Sequence, residues 1–356
     1  MSIRNIAKNG LFALIAITLS CLIFLGILEV ILRIFQEPGA TPGYTITHET
    51  RRYQLKPNFS GKTHKAELKI NSYGLRDYER AISAGDETYR IAVFGDSVTF
   101  GIGVKLEETF SKILEKKLNS FFHPLPIQLF NMGIGSYNTV QEYYYLTESY
   151  DRLMPHMVIF EYTAGNDSCL TNPGNTSDIN RIAAIRWVKD ILRNLYSYNF
   201  LAAEYYALLY KAKQERKYDN EYIARLKNDE LLFAENFRGW IENKEVFRDI
   251  IKFCKNKNIT LIFAVYANNF MLSPSLDKDP YYFIINKIMN AMNQAGAQHT
   301  ILLDDSFREY AGNEKELWVT PTNHHFSLLA NSLAADTMFQ YICENKFIEK
   351  HSASQD

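Results

Sequence analysis

Residues 89–101 read YRIAVFGDSVTFG, and this stretch decides the fold. It opens as a short apolar run suited to a buried strand, and Gly95 breaks it. Asp96 and Ser97 then stand where a strand turns into a helix. Downstream, Phe110, Ile113, Leu114 and Leu118 recur at helical spacing within residues 106–118. The alternation continues. Strands are expected over residues 127–132, 157–162, 259–266 and 300–303. Helices are expected over 140–150, around Phe247, Ile250, Ile251 and Cys254, and over 284–295 and 328–343. Strand and helix alternating through short connections predicts an α/β fold, a parallel sheet with helices on both faces. Ligands bind such sheets at the C-terminal strand ends, so the chemistry is sought just after each strand.

Upstream, residues 9–28 (NGLFALIAITLSCLIFLGIL) carry no charge. A helix of that length spans a ~30 Å hydrocarbon layer. It is apolar on every side, which separates it from a core helix with one apolar stripe. No small-x-small site follows Leu28, and Thr18-Leu19-Ser20 before Cys21 is a poor lipoprotein box, so a retained anchor is expected rather than a cleaved signal. Arg4 and Lys8 precede the run and place the N-terminus in the cytoplasm, with Arg33 a positive charge on the opposite flank. The rest of the chain is then extracytoplasmic, periplasmic if the cell is bacterial. The expected organisation is a tail and anchor over residues 1–36, a polar Pro/Gly-containing linker and irregular lead-in over 37–88, the α/β domain over 89–346, and a C-terminal tail over 347–356. A Tyr- and Leu-rich helical insertion interrupts the domain at about 172–238.

Composition excludes several classes. With 356 residues, 47% hydrophobic and 22% charged, the chain has ample material for a core and is not a disordered one. Its 39 basic and 40 acidic side chains give a net charge of −1, with no excess to neutralise a phosphate backbone, so nucleic acid is not an expected partner. Four cysteines without a CxxC pair indicate neither a disulfide scaffold nor structural zinc. The 23 Tyr and 23 Phe call for packing, a membrane surface or a ligand groove.

Four fragments fall at expected strand ends. They are Gly95-Asp96-Ser97, the glycine pair in Asn131-Met132-Gly133-Ile134-Gly135-Ser136, Ala164-Gly165-Asn166-Asp167, and Thr322-Asn323-His324-His325 before the last helix. A serine at a strand-to-helix turn exposes its hydroxyl at the ligand edge and offers its amide to an oxyanion. Asp96 and Asp167 read as loop organisers. His324 beside His325 suggests a metal only if a third ligand exists, and none is apparent, so no metal or cofactor is expected.

In this order the fragments resemble the blocks of the SGNH (GDSL-type) hydrolase superfamily. The resemblance covers roughly residues 70–342, outside the insertion, and Asn71-Ser72-Tyr73-Gly74-Leu75-Arg76 resembles a segment of its membrane-anchored and secreted members. It implies the SGNH hydrolase fold, a flavodoxin-like three-layer α/β sandwich with a parallel sheet, with Ser97 as nucleophile and first oxyanion donor and His325 as general base. It further implies Gly135 (Gly133 being the other register) and Asn166 as the remaining donors. The implied activity is a serine esterase acting on O-acyl groups, acetyl among them, of envelope or secreted polysaccharide, so an acylated carbohydrate is the expected substrate. Two other readings stand beside it: an O-acyltransferase using the same Ser/His site, and a non-catalytic component of a polysaccharide assembly or export complex. The sequence departs from the family where an Asp usually precedes the His, because Thr322 and Asn323 stand there. A backbone carbonyl holding a Ser97–His325 dyad, a carboxylate from Asp304 or Asp305, or a loss of hydrolysis would each accommodate this. The dyad is the expectation.

Overall fold

The computed structural model describes residues 3–35, 43–64, 66–80, 87–168, 191–192, 194–198, 200–201, 205, 221–267, 272–320 and 323–349. The chain opens with helix α1 (Ile3–Phe35), whose stretch Asn9–Ile34 is long and apolar enough to cross a membrane. Leu11, Phe12, Leu22 and Ile23 stand exposed along it, so the helix does not bury this surface in a core of its own chain. Arg33 pairs with Glu29 one turn earlier at 2.8 Å. That pairing neutralises the positive charge on the far flank.

Residues 37–88 were expected to be linker and irregular structure, and this is corrected for their described part. They form two antiparallel hairpins, β1 (Thr45–His48) with β2 (Arg52–Leu55) and β3 (Ser60–Thr63) with β4 (Ala66–Lys69). The strands are only four residues each, too short for a decisive pattern: AELK of β4 alternates apolar and polar, whereas SGKT of β3 does not. Their few apolar side chains dock them: Leu55 and Leu68, with Ile70 and Leu75 just beyond, are buried in the main core.

The domain then proceeds through β5 (Tyr89–Phe94), a one-turn helix α2 (Ser97–Phe100), α3 (Phe110–Phe121), β6 (Ile127–Asn131), α4 (Thr139–Leu153) and β7 (Met157–Thr163). After the insertion come α5 (Glu221–Leu232), α6 (Arg238–Asn256), β8 (Thr260–Tyr266), α7 (Tyr282–Ala295) and β9 (Thr300–Leu302). A short antiparallel pair, β10 (Trp318–Thr320) and β11 (Asn323–Phe326), leads into α8 (Leu328–Glu344). Strands β5 to β9 form one parallel sheet in the order β6-β5-β7-β8-β9.

Period-two alternation in β5 builds the three layers. Ile91 and Val93 face a core made with Phe110, Leu114 and Leu118 of α3 and Ala330, Ala334 and Met338 of α8. Ala92 and Phe94 face the opposite core, with Leu146 of α4, Phe247 and Ile250 of α6, and Ile284 and Ile288 of α7. Strand β7 is buried along its whole length, which explains its nearly continuous apolar run. Helix starts follow local chemistry. Thr109 caps α3, Asn138 and Gln141 form a capping box on α4, and Ser327 caps α8. Most of the insertion lies outside the described residues. Its end packs as core, with Phe233 and Trp240 buried edge-to-face at 5.1 Å. Cys169 lies outside the described residues, and Cys254 is buried as expected of a core thiol.

Candidate active site

The sheet order reverses at β5, and in such sheets ligands bind beyond the C-terminal strand ends at that point, here those of β5 and β7. The GDS turn stands there. Asp96 caps α2, its Oδ1 accepting the Val98 N–H at 2.7 Å, so Ser97 becomes the first helical residue and stays half-buried. The helix ends after one turn at Gly101, whose φ of 83° is left-handed. Arg76 holds that end in place. Its buried guanidinium donates to the Phe100 carbonyl at 2.7 Å, to the Gly101 carbonyl, and to the Val104 carbonyl at 2.6 Å. The segment around it is stapled down by Lys112, which lies 2.6 Å from Asp77 and 2.9 Å from Glu115. Asp77 in turn accepts the Asn131 N–H at 2.9 Å.

The chain leaving β6 runs beside the GDS turn, with Met132 N–H donating to Val93 and Ile134 N–H to Gly95. A Cβ on Gly133 would fall 2.3 Å from the Phe100 nitrogen, so this glycine is what lets α2 approach so closely. Gly133 thus packs, and the open neighbour of the serine is Gly135, whose Cβ position would lie 3.9 Å from Ser97 Cβ. Among the described residues, neither the Ser97 nor the Gly135 amide N–H is engaged in a hydrogen bond. Asn166, at the end of β7, uses both amide protons, donating to Asp96 Oδ2 at 2.7 Å and to the Tyr137 carbonyl at 2.7 Å. Donation to an oxyanion therefore requires one of these bonds to be exchanged or shared.

His325 arrives on β11, which packs beside α2. Its Nδ1 lies 2.5 Å from Asn323 Oδ1, and its backbone N–H donates to the same oxygen at 3.2 Å. The ring is thus held by a side-chain amide and not by the backbone carbonyl that was expected. Thr322 lies outside the described residues. Asp304 instead accepts the Ala267 N–H at 2.7 Å, and Asp305 pairs with Arg308 at 3.0 Å. Without a carboxylate the imidazolium is poorly stabilised. Burial, then the charges of His64 and His324, lower the His325 pKa to about 4.

The strand order and the four fragments gathered on one sheet edge decide the fold. The chain has the fold of the SGNH (GDSL-type) hydrolases. No family model matches the chain, and no curated protein does. Among solved structures it is similar to a two-domain esterase active on acetylated mannans, at 11% identity and TM-score 0.41 over 74% of this chain, where it spans only 51% of the other. It is also similar to the esterase EstA from Pseudoalteromonas sp., at 15% identity and TM-score 0.41 over 73% of this chain and 99% of that one. A lipase/acylhydrolase from Enterococcus faecalis is matched at 13% identity and TM-score 0.40, over 74% and 100%.

Beneath the edge of this SGNH fold lies a group of buried carboxyls that sequence reasoning largely missed: Asp96, Glu142, Glu161 and Asp167. The available signal was Glu161, a lone charge inside the apolar run MVIFEYT. Glu161 accepts from Thr163 and Thr99 hydroxyls at 2.7 and 3.1 Å, and Asp167 from the Thr163 N–H and the Thr139 hydroxyl at 2.5 and 3.0 Å. Both Glu142 oxygens are buried without a hydrogen-bond partner among the described residues. Burial raises all four, Asp96 to about 6, and the neighbouring negative charges push Glu142, Glu161 and Asp167 further up. The raised values favour the neutral, protonated forms of these carboxyls. Asp304 is likewise raised to about 7 by burial.

A raised folded-state pKa contributes stability that is complete below the unfolded value and is lost as pH rises through the folded one. His325 acts in the opposite direction, but only between about 4 and its ordinary 6.5. Asp96 and Asp304 should therefore lower the melting temperature as pH rises through about 6 and about 7, and Glu142, Glu161 and Asp167 extend the fall in the same direction. Glu142→Gln should flatten that slope and raise Tm at the higher pH by ~3 °C, about 1 kcal/mol. A Glu142→Gln profile parallel to the parent's would show that Glu142 is already ionised.

Proposed function

We propose that the protein is a membrane-anchored serine esterase that removes O-acyl groups, acetyl above all, from envelope or secreted polysaccharide. The observation that carries this reading is Ser97 at the first position of α2, beside the open Gly135 amide and the strand bearing His325. In this mechanism Ser97 Oγ attacks the acyl carbonyl while His325 Nε2 takes its proton. The oxyanion is held by the Ser97 and Gly135 amides, joined by Asn166 once it releases the Tyr137 carbonyl. His325 returns the proton to the departing sugar oxygen, and water then cleaves the acyl-serine by the same route.

A short acyl group is favoured by crowding. The Tyr44 hydroxyl stands 3.7 Å from where a Gly135 Cβ would be, and its ring packs on Phe100 at 5.9 Å. The anchor reading rests on α1, and the orientation on Arg4 and Lys8 at its start.

Fluorophosphonate labelling of the full-length protein in detergent, with the adduct mapped by mass spectrometry, tests the nucleophile. The label should sit on Ser97. Labelling elsewhere, or none alongside ester turnover, rejects the assignment. A general base must be neutral, so kcat/KM on an activated acetyl ester should be lost only as pH falls through about 4. An acid limb near the ordinary histidine value of 6.5 would place the base in a different environment.

A further inference from the structure

The hairpin β3–β4 sends one side chain toward the histidine strand. His64, at its turn, has φ 51° and is half-buried. Its Nε2 lies 2.8 Å from Asn323 Nδ2, the amide whose other end holds His325 Nδ1. The three side chains form one line, His64–Asn323–His325. An amide, unlike a carboxylate, has two different ends: its oxygen only accepts and its nitrogen only donates. Asn323 therefore serves His325 only in one of its two orientations. With Oδ1 toward the ring, His325 carries its proton on Nδ1 and leaves Nε2 free as a base. With Nδ2 toward the ring, the proton moves to Nε2 and the base is blocked.

We propose that His64 is a positioning residue: by accepting from Asn323 Nδ2 it fixes which end of that amide faces His325, and thereby which nitrogen of His325 can take the Ser97 proton. The proposal rests on the esterase reading for its kinetic consequence, though not for its geometry. Burial lowers the His64 pKa, which keeps its Nε2 lone pair available at neutral pH. The His325 backbone bond to Oδ1, at 3.2 Å, is the longer of the restraints on the amide. The hairpin thus supplies part of what an aspartate would do alone, since a carboxylate presents an acceptor whichever way it turns.

The test is a cycle in the full-length protein, read on an activated acetyl ester. His64→Ala should lower kcat by about five- to tenfold with KM unchanged, the weight of one neutral hydrogen bond. His64→Gln, which can still accept from Asn323, should restore most of the rate. In an Asn323→Asp background the same His64→Ala change should cost less than about twofold, because no amide remains to be turned. Equal losses in both backgrounds would mean that His64 only packs the hairpin and would overturn the proposal, as would no loss in the parent. Histidine-selective ¹⁵N spectra give a readout independent of turnover. His325 should carry its proton on Nδ1 in the parent, shift toward Nε2 in His64→Ala, and return to Nδ1 when Asn323→Asp is added. An unchanged tautomer across the set overturns the positioning role. The expected tautomer pattern in a protein that cleaves no ester would overturn the esterase reading alone.

Discussion

Ser97→Ala is expected to lower ester cleavage by about 10⁴- to 10⁶-fold while leaving the melting temperature near that of the parent. The large factor follows from the proposed mechanism, in which the serine both forms the covalent intermediate and passes its proton to His325. Neither residue acts without the other, so His325→Ala should fall to a similar residual rate, and the double variant little further. Stability is spared because the Ser97 hydroxyl is half-exposed at the strand ends and its loss opens no core cavity. Steady-state rates on an activated acetyl ester, with a parallel thermal melt, measure both effects. A Ser97→Ala protein that keeps a tenth of the parent rate would remove the serine from the mechanism. The backbone donors remain in that variant, so a small residual rate above the uncatalysed one is expected.

Arg76→Ala should be the most damaging substitution for the fold around the site. The guanidinium is buried and bonds the carbonyls of Phe100, Gly101 and Val104, which end α2 and begin the following loop. Burial lowers its pKa only to about 10, so it remains charged at neutral pH. Truncation removes the guanidinium donor from the Phe100 and Val104 carbonyls, at about 1–3 kcal/mol each, and a loss of ~3 kcal/mol or more is expected. Arg76→Lys should recover only part of this, since one ammonium cannot reproduce the planar fork. Denaturant unfolding gives the value. A midpoint unchanged from the parent would show that this loop stands without the clamp. The consequence for chemistry is direct, because α2 carries Ser97 and its amide. A slackened helix end should reduce kcat even at temperatures where the protein stays folded.

The missing aspartate shapes the expected enzyme. With Asn323 in contact with Nδ1, the imidazole is oriented but its charge is not neutralised. A His325 pKa of about 4 keeps the base neutral through the physiological range. The same property makes its protonated form costly during turnover, so Asn323→Asp, which adds the anion, is expected to accelerate hydrolysis.

Much of this was legible along the chain. The run YRIAVF, the helical spacing of Phe110, Leu114 and Leu118, and the buried strand ITLIFAVY are local patterns that report burial on one or two faces. Such periodicity determines the order of elements and hence the parallel sheet. The apolar, uncharged residues 9–28 likewise declared a helix able to cross a membrane. Order along a parallel sheet then put the fragments containing Ser97, Gly135, Asn166 and His325 at strand ends, since that is where loops of this fold lie.

What only the tertiary structure decided concerns contacts between residues far apart in sequence. The hairpins at residues 45–69 are too short for periodicity to declare them, AELK of β4 alternating and SGKT of β3 not, and they are stabilised by docking Leu55 and Leu68 into a core built elsewhere. The glycine register was open until Gly133 met the backbone of α2 at a distance no side chain tolerates. The holder of His325 was open too: Asn323, Asp304 and Asp305 are all near a strand end, and side-chain direction selects among them. Asp304 turns to Ala267, Asp305 to Arg308, and Asn323 to the imidazole. His64 could not be found at all from the sequence, since it reaches Asn323 across 259 positions. Periodicity records which face of an element is buried, whereas a hydrogen bond between distant side chains depends on how the finished layers stack.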